Sequence, residues 1–209
     1  MSHAGTEDKF LKTLFPENME GLMVLDVGFG YGSTGLYIRT RTYKTGWCQL
    51  IGVEPFAEYV EVMEKMGLYD KLFNSYGQDM PFFEDNEFKM SIAQHVIEHC
   101  KTYKEGVDLL NEMERVTSWR VIICTPNGYT ESGALDGNED NHHHTGWSAE
   151  MFKERGYKTR IVTKNVNSRL LTAFAKNVFW LKRKRWDNEV LVAWKDVQNV
   201  ATKVEDETP

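Results

Sequence analysis

An acidic residue followed by three alternating glycines is the part of this sequence with the clearest chemical meaning. Asp26 lies near the end of an apolar run, and three glycines separate it from a helical pattern: Gly28, Gly30 and Gly32. Glycines allow a sharp turn and a close approach of the backbone to a ligand, and the first amides of a helix are free to hold an anion. The stretch therefore predicts a buried strand, a tight loop and a helix start that bind a cofactor.

Two classes of cofactor use this layout. Residues 30–35 satisfy the GxGxxG pattern of dinucleotide-binding proteins, and Glu54 lies at about the distance expected for a ribose-binding acid. Asp26 argues against a dinucleotide, because a carboxylate at the strand end would repel a pyrophosphate. The methyl donor S-adenosylmethionine has a cationic sulfonium and a zwitterionic end, so we favour it over NAD. A tight turn without a ligand is a further alternative.

The run from Asp26 to Gly32 resembles the first motif of the class I S-adenosylmethionine-dependent methyltransferases. Three later segments resemble a branch of this family whose substrates are mostly unassigned: Val-Ile-Glu-His at 96–99, Thr-Pro-Asn-Gly at 125–128 and Gly-Trp at 146–147. The resemblance covers about residues 21–163. It implies an α/β fold, with a Rossmann-like, doubly wound, seven-stranded and mostly parallel sheet, helices on both faces and an antiparallel last strand.

The resemblance also implies where the cofactor binds. Glu54, at the end of a second strand, is expected to accept hydrogen bonds from the ribose hydroxyls, although a helix-capping acid is an alternative. The adenine is expected beside residues 78–80, which an ordinary solvated loop would also explain. The expected cofactor-binding residues are, in chain order, Asp26, Gly28, Phe29, Gly30, Gly32, Glu54, Pro55, Gln78, Asp79, Met80 and Gln94.

Three histidines are expected near the transferred methyl group. An oxygen or nitrogen acceptor must lose its proton, and a neutral histidine with a pKa near 6.5 can take it. His95 is our first choice for this general base, followed by His143 or His144 from the polar loop 130–147. A structural or surface role is the alternative for each. The family commonly has acids where this chain has Lys89 and His95, and either change could alter the substrate or the catalytic role.

Residues 95–99 also match HxxEH, the inverted zinc-protease motif, and residues 142–144 could be further ligands. That motif needs both histidines on one helical face. Here the segment spans the end of a predicted strand and the loop after it. We therefore expect no metal ligand at this position and disfavour a zinc hydrolase.

The remaining elements must position these groups. We predict a short helix at 7–15, a third strand at 71–76 and a fourth at 88–93. An amphipathic helix at 102–117 and a fifth strand at 119–125 follow. After the long loop come a short helix capped by Ser148 and a sixth strand at 157–163. Further predictions are a helix at 167–180, a basic and aromatic segment at 180–186, and a last strand at 188–194 that lies antiparallel beside the sixth.

Composition limits the remaining possibilities. The 209 residues are expected to form one domain over 1–200, followed by a disordered tail at 201–209. The net charge of -6 gives no general attraction to nucleic acid, and three separated cysteines suggest reduced thiols. Without a signal sequence or a membrane span, we expect a cytoplasmic monomer or homodimer.

The sequence thus predicts an S-adenosylmethionine-dependent methyltransferase that acts on an oxygen or nitrogen of a small polar acceptor, such as a sugar or a lipid-linked intermediate. Two alternatives stay open. One is a domain that binds S-adenosylmethionine without catalysis and activates a partner, and the other is an NAD-dependent oxidoreductase.

Overall fold

The computed structural model describes residues 10–134, 136–163 and 189–197. The strands in these residues are β1 Met23–Val27, β2 Gln49–Val53, β3 Lys71–Phe73, β4 Phe88–Gln94, β5 Thr117–Pro126, β6 Lys158–Thr163 and β7 Glu189–Asp196. The α-helices are α1 Ser33–Thr45, α2 Ala57–Met66, α3 Tyr103–Val116 and α4 Ala149–Glu154. Short 3-10 turns are found at Lys12–Leu14, Ile97–His99 and Glu139–Asn141.

The seven strands form one sheet in the order β3-β2-β1-β4-β5-β7-β6. The pairs from β3 to β5 are parallel, whereas β7 is inserted antiparallel between β5 and β6. The predicted Rossmann-like fold, including its antiparallel last strand, is therefore confirmed. Strand order reverses at β1, whose neighbours are β2 and β4, and ligands bind at such a switch point outside the carboxyl ends of the strands.

Both faces of the sheet are covered, as expected for parallel strands with near-continuous apolar sequences. Alternate side chains of β1 enter different cores, since successive strand residues point to opposite faces. Leu25 and Val27 pack with Leu109 and Met113 of α3, while Val24 belongs to the core that contains Ile38 of α1. No helix among the described residues is long and apolar enough to span a bilayer.

Several element bounds differ from the sequence predictions. β3 has only three residues, because at Asn74 and Ser75 the chain leaves the sheet to bond the carbonyl of Glu54. β5 starts two residues earlier than predicted, directly after α3, and the Thr117 hydroxyl is paired there with that of Ser91 at 2.6 Å. Of the predicted helix at 7–15, the described part contains the turn Lys12–Leu14. The predictions for 167–180, 180–186 and 201–209 lie outside the described residues.

Trp147 holds the end of the long loop against α3. Its side chain is 2% exposed, and its indole nitrogen donates a hydrogen bond to Thr145 Oγ1 at 3.0 Å. Residues 128 and 147 pair in an isolated antiparallel bridge that closes the base of the loop. A Cβ atom added to Gly106 would lie 2.3 Å from Trp147 Cζ2, so only glycine lets the indole pack this closely on α3.

This packing predicts that Gly106→Ala destabilises the protein. Alanine would gain about 1 kcal/mol of helix propensity, but forcing a methyl group into a filled core costs about 1–3 kcal/mol. We expect a net loss of about 1–2 kcal/mol in the free energy of unfolding, measured by urea denaturation. Gly133→Ala is the control, since a Cβ there meets nothing within 4 Å. Equal stability of the two variants would contradict the packing argument.

Candidate active site

A cavity of about 680 Å³ opens at the switch point of the sheet. This volume is in the range of sites that hold a cofactor or a drug-sized ligand. The wall is built from the glycine loop after β1, the ends of β2 and β4, the turn Ile97–His99 and the loop 130–147. The predicted cofactor residues that line it are Gly28, Phe29, Gly30, Glu54, Pro55, Gln78 and Gln94.

The glycine loop presents bare backbone to this cavity. Gly28, Gly30 and Gly32 all have positive φ angles, of 67°, 51° and 71°. A Cβ at Gly30 would meet no atom within 4 Å, which leaves room for a ligand beside the backbone. Helix α1 then begins with neither a side-chain cap nor an acid in its first turn. Its free amides and the positive end of its dipole suit the carboxylate of a zwitterionic ligand.

Glu54 connects the end of β2 to the glycine loop. One carboxylate oxygen accepts a hydrogen bond from the amide of Gly30 at 3.0 Å, and the other accepts one from the amide of Phe56 at 3.1 Å. The residue is 5% exposed, and burial raises the pKa of its carboxyl group. Each oxygen has a second lone pair, so the side chain can still accept hydrogen bonds from a ribose diol.

Five predicted site residues do not line the cavity: Asp26, Gly32, Asp79, Met80 and His144. Met80 is fully buried in the core, whereas Asp79 and His144 are exposed. Gly32 faces α2, where an added Cβ would lie 2.5 Å from the sulfur of Met63. Alternation along β1 explains why Asp26 does not line the cavity. Val27, the next residue, reaches the cavity, so the side chain of Asp26 points to the opposite face of the sheet.

Asp26 is buried and bonded to Tyr69. Its Oδ2 accepts a hydrogen bond from the hydroxyl of Tyr69 at 2.7 Å, and its Oδ1 has no hydrogen-bond partner among the described residues. Burial raises its pKa to about 7, with the hydrogen bond from Tyr69 opposing the shift and the charge of Glu54 adding to it. Asp26 was predicted from the sequence to bind the methyl donor, but it is not among the residues that line the cavity.

His95 and Glu98 form a pair on the opposite wall. His95 follows β4 with a φ of 58°, an uncommon conformation for a non-glycine residue. Its Nδ1 lies 3.1 Å from Glu98 Oε1, and the hydroxyl of Thr125 donates to Glu98 Oε2 at 2.9 Å. Burial raises the pKa of the Glu98 carboxyl, but the hydrogen bond and charge of His95, with the charge of His99, outweigh it and lower the pKa. Glu98 is therefore a buried carboxylate that accepts from His95.

His99 and His143 lie next to this pair, with ring centroids 4.7 Å apart. His99 Nδ1 donates to the carbonyl of His142 at 3.1 Å, and His143 Nδ1 donates to that of Thr130 at 2.7 Å. Each ring therefore keeps its Nε2 lone pair available. Burial lowers the pKa of His99, which favours the neutral ring. His99 was not among the catalytic residues predicted from the sequence, and the adjacent Glu-His and His-His-His segments were the signal for this cluster.

The HxxEH motif does not form the helical zinc site that it resembles. Residues 97–99 are a 3-10 turn, and His95 lies before it in a left-handed conformation. The two motif histidines therefore do not share a helical face, in agreement with the expectation from the sequence. The potential ligand atoms that do come together, within 4.8 Å of one another, belong to Glu98, His99 and His143.

The tip of the loop 130–147 reaches across the mouth of the cavity. Asp136 Oδ2 accepts hydrogen bonds from the hydroxyls of Tyr31 at 2.9 Å and Tyr59 at 3.2 Å. Asp140 Oδ2 accepts one from the hydroxyl of Tyr76 at 3.1 Å. These contacts join the loop to the glycine loop, to α2 and to the segment after β3. The cavity therefore has a cofactor side on the sheet and an acceptor side that the loop completes.

Comparison with known proteins agrees with this geometry. Residues 25–123, a little under half of the chain, match the family model described as a methyltransferase domain. No curated protein sequence matches the chain significantly. The match spans β1 to β5 and includes the glycine loop, Glu54 and the His95–Glu98 pair.

Solved structures share the fold at low sequence identity. A methyltransferase from Aquifex aeolicus that depends on S-adenosylmethionine is 15% identical with a TM-score of 0.56, and the match covers 92% of this chain and 90% of that chain. A chain of the complex between the Haloferax volcanii Trm112 methyltransferase activator and a methyltransferase is 14% identical with a TM-score of 0.63, covering 92% and 94%. A Galdieria sulphuraria protein named as a sarcosine dimethylglycine methyltransferase is 16% identical with a TM-score of 0.60, covering 92% and 85%.

The fold, the cavity at its switch point and the matched methyltransferase domain support one class of enzyme, the class I S-adenosylmethionine-dependent methyltransferases. Its methyl donor is S-adenosylmethionine, for which the open glycine loop, the uncapped start of α1 and the Glu54 carboxylate provide a fitting site. The assignment decides against the dinucleotide and hydrolase alternatives.

The position of Glu54 predicts its role in holding the donor. Glu54→Gln should weaken S-adenosylmethionine binding by about tenfold, because the amide oxygen can replace only one of the two carboxylate acceptors. Isothermal titration calorimetry measures the affinity. Glu61→Gln, at an exposed residue of α2, is the control and should bind like the original chain. Unchanged binding by the Glu54 variant would remove Glu54 from the cofactor site.

The raised pKa of Asp26 predicts a dependence of stability on pH. The folded protein holds this proton up to about pH 7, whereas the unfolded chain releases it near pH 4, so the free energy of unfolding falls as pH rises between these values. Asp26→Asn cannot titrate and should gain about 1–3 kcal/mol relative to the original chain between pH 5 and pH 8. Urea denaturation at both pH values measures this difference. The control variant Asp79→Asn, at an exposed residue, should show no such gain in the free energy of unfolding. A gain of equal size in that variant would refute the assignment of the pH dependence to Asp26.

Proposed function

We propose that the enzyme transfers the methyl group of S-adenosylmethionine to an oxygen or nitrogen of a small polar acceptor, with His95 as the general base. The acceptor side of the cavity supports this proposal. It presents three histidines together with Ser132, Asn138 and Asn141, all of which can hydrogen-bond a polar molecule. A cavity of about 680 Å³ that also holds the cofactor leaves room for a small acceptor only.

The pair of His95 and Glu98 is the observation that carries the proposal. A ring whose Nδ1–H donates to a buried carboxylate has its Nε2 free to accept a proton. When the ring becomes positively charged, the carboxylate stabilises it at 3.1 Å. The donor supplies a methyl group that its sulfonium has already activated. The protein then has to align the acceptor, exclude water and remove the proton.

The charge of the wall indicates the kind of acceptor. Lys101 is the one lysine or arginine among the described residues that line the cavity, and it lies 3.8 Å from Asp140. Glu54, Glu105, Asp136 and Asp140 also line the wall, so a polyanionic acceptor would be repelled. The Galdieria neighbour is named for small amine acceptors. That likeness shows the fold alone, and the acceptor proposal depends on the cavity.

We further propose that the enzyme acts in the cytoplasm as a monomer or homodimer and that residues 1–200 form one domain. Its net charge of -6 supports a small-molecule acceptor over nucleic acid.

A substitution of His95 tests the base directly. His95→Gln keeps a donor near Glu98 but has no basic nitrogen, so we expect kcat to fall by about 10²-fold or more. The affinity for S-adenosylmethionine should stay unchanged, because the cofactor side is built from other elements. Labelled methyl transfer to fractions of a metabolite extract identifies the acceptor, and kcat is then measured with that compound.

His142→Gln is the matched control for this experiment. Its ring is not part of the cavity wall and lies 3.3 Å from Glu139, while its backbone carbonyl, which His99 bonds, is retained. The control should turn over at the original rate. If His95→Gln does so too, His95 is not the base.

A further inference from the structure

We propose that Glu98, His99 and His143 form a binding site for one divalent transition-metal ion on the acceptor side of the cavity. One ligand atom of each residue lies within 4.8 Å of those of the other two. Two imidazoles and one carboxylate are a common donor set for catalytic zinc and for non-haem iron. His143 is thus the second histidine ligand, whereas in the HxxEH motif that ligand would be His95. The proposal reverses the expectation that residues 95–99 hold no metal ligand.

The surroundings of the three side chains are those of metal ligands. The Nδ1–H groups of His99 and His143 both donate to backbone carbonyls, which fixes the ring orientation and directs Nε2 away from those partners. Metal-binding histidines have this outer hydrogen bond almost without exception. Glu98 is held in the same way, since His95 and Thr125 each bond one of its oxygens and leave a lone pair on both.

The Nε2 atoms of His99 and His143 have no hydrogen-bond partner among the described residues. Both rings line the cavity and face a buried carboxylate. A buried polar network is stable when each member is satisfied, and a cation would satisfy all three groups together.

The required movement is small. Zinc bonds of about 2.0–2.1 Å place tetrahedral ligand atoms roughly 3.4 Å apart, compared with the present limit of 4.8 Å. His143 and its partner Thr130 lie on the same loop, and the ring is only partly buried, so a small shift of the loop can close this gap while the Nδ1 hydrogen bond is kept.

Three protein ligands leave at least one coordination position for another molecule, which is the pattern of catalytic rather than structural zinc sites. Because His99 and His143 line the cavity, that position would open into it. An acceptor hydroxyl bound there would lose its proton more readily, because a metal ion lowers the pKa of a bound oxygen. This consequence rests on the proposed function. Metal binding itself does not, since it needs neither the donor nor the acceptor.

Metal titration of the whole chain tests the proposal. The protein, produced without a histidine tag and stripped with a chelator, is titrated with zinc chloride by calorimetry. Cobalt(II) is added in a parallel titration, and its visible absorption reports the coordination geometry. We expect one ion per chain. His99→Ala and His143→Ala should each weaken binding by about tenfold or more, whereas His144→Ala removes an exposed histidine of the same loop and should bind normally.

The outcomes separate this proposal from the methyltransferase function. No zinc binding by the intact chain, or equal affinity in His143→Ala and His144→Ala, would overturn the metal site. Titration of the same samples with S-adenosylmethionine tests the function independently. A chain that binds the donor but not zinc has no metal site here, and a chain that binds zinc but not the donor keeps the site and refutes the function. Circular dichroism confirms that each variant is folded.

Discussion

The carboxylate of Glu98 is 1% exposed, and a charge at that depth must be neutralised by hydrogen bonds if the fold is to be stable. Its two oxygens accept from His95 and Thr125, and its backbone carbonyl accepts from the amides of His144 and Thr145. One residue therefore joins the ends of β4 and β5 to the long loop. The acceptor side of the cavity depends on Glu98, because these bonds orient the ring of His95 and attach the long loop that contains His143.

The two sides of the cavity are built differently. The cofactor side uses the ends of parallel strands, where the Gly30 amide bonds the Glu54 carboxylate across two neighbouring connections. Its position is set by the sheet itself. The acceptor side is a polar loop, anchored at its base by Trp147 and at its tip by two aspartates. A fold of this kind can change its acceptor by changing the loop while it keeps the same methyl donor.

The sequence predicted the features that local patterns determine. The glycine loop and Glu54 at the end of a strand follow from strand periodicity and turn chemistry, whereas the antiparallel last strand was implied by the resemblance to the methyltransferases. The direction of Asp26 could not be read in the same way, because a buried strand has apolar residues on both faces and gives no sign of which one meets the cavity. The His99 and His143 contact joins residues 44 positions apart in the chain, and it depends on how the loop packs against α3. The full burial of Met80, which was expected beside the adenine, could not be predicted for a similar reason, since it is decided by the tertiary core.

The hydrogen bonds from Tyr31 and Tyr59 to a single oxygen of Asp136 hold the tip of the loop 130–147 over the entrance of the cavity. A ligand that enters or leaves past the loop tip must release these bonds first. A hydrogen bond to a charged carboxylate contributes about 1.5–3 kcal/mol, and both of these bonds end on the same oxygen at the mouth of the cavity. The position of the loop tip over the glycine loop and over α2 therefore rests on the carboxylate of one residue.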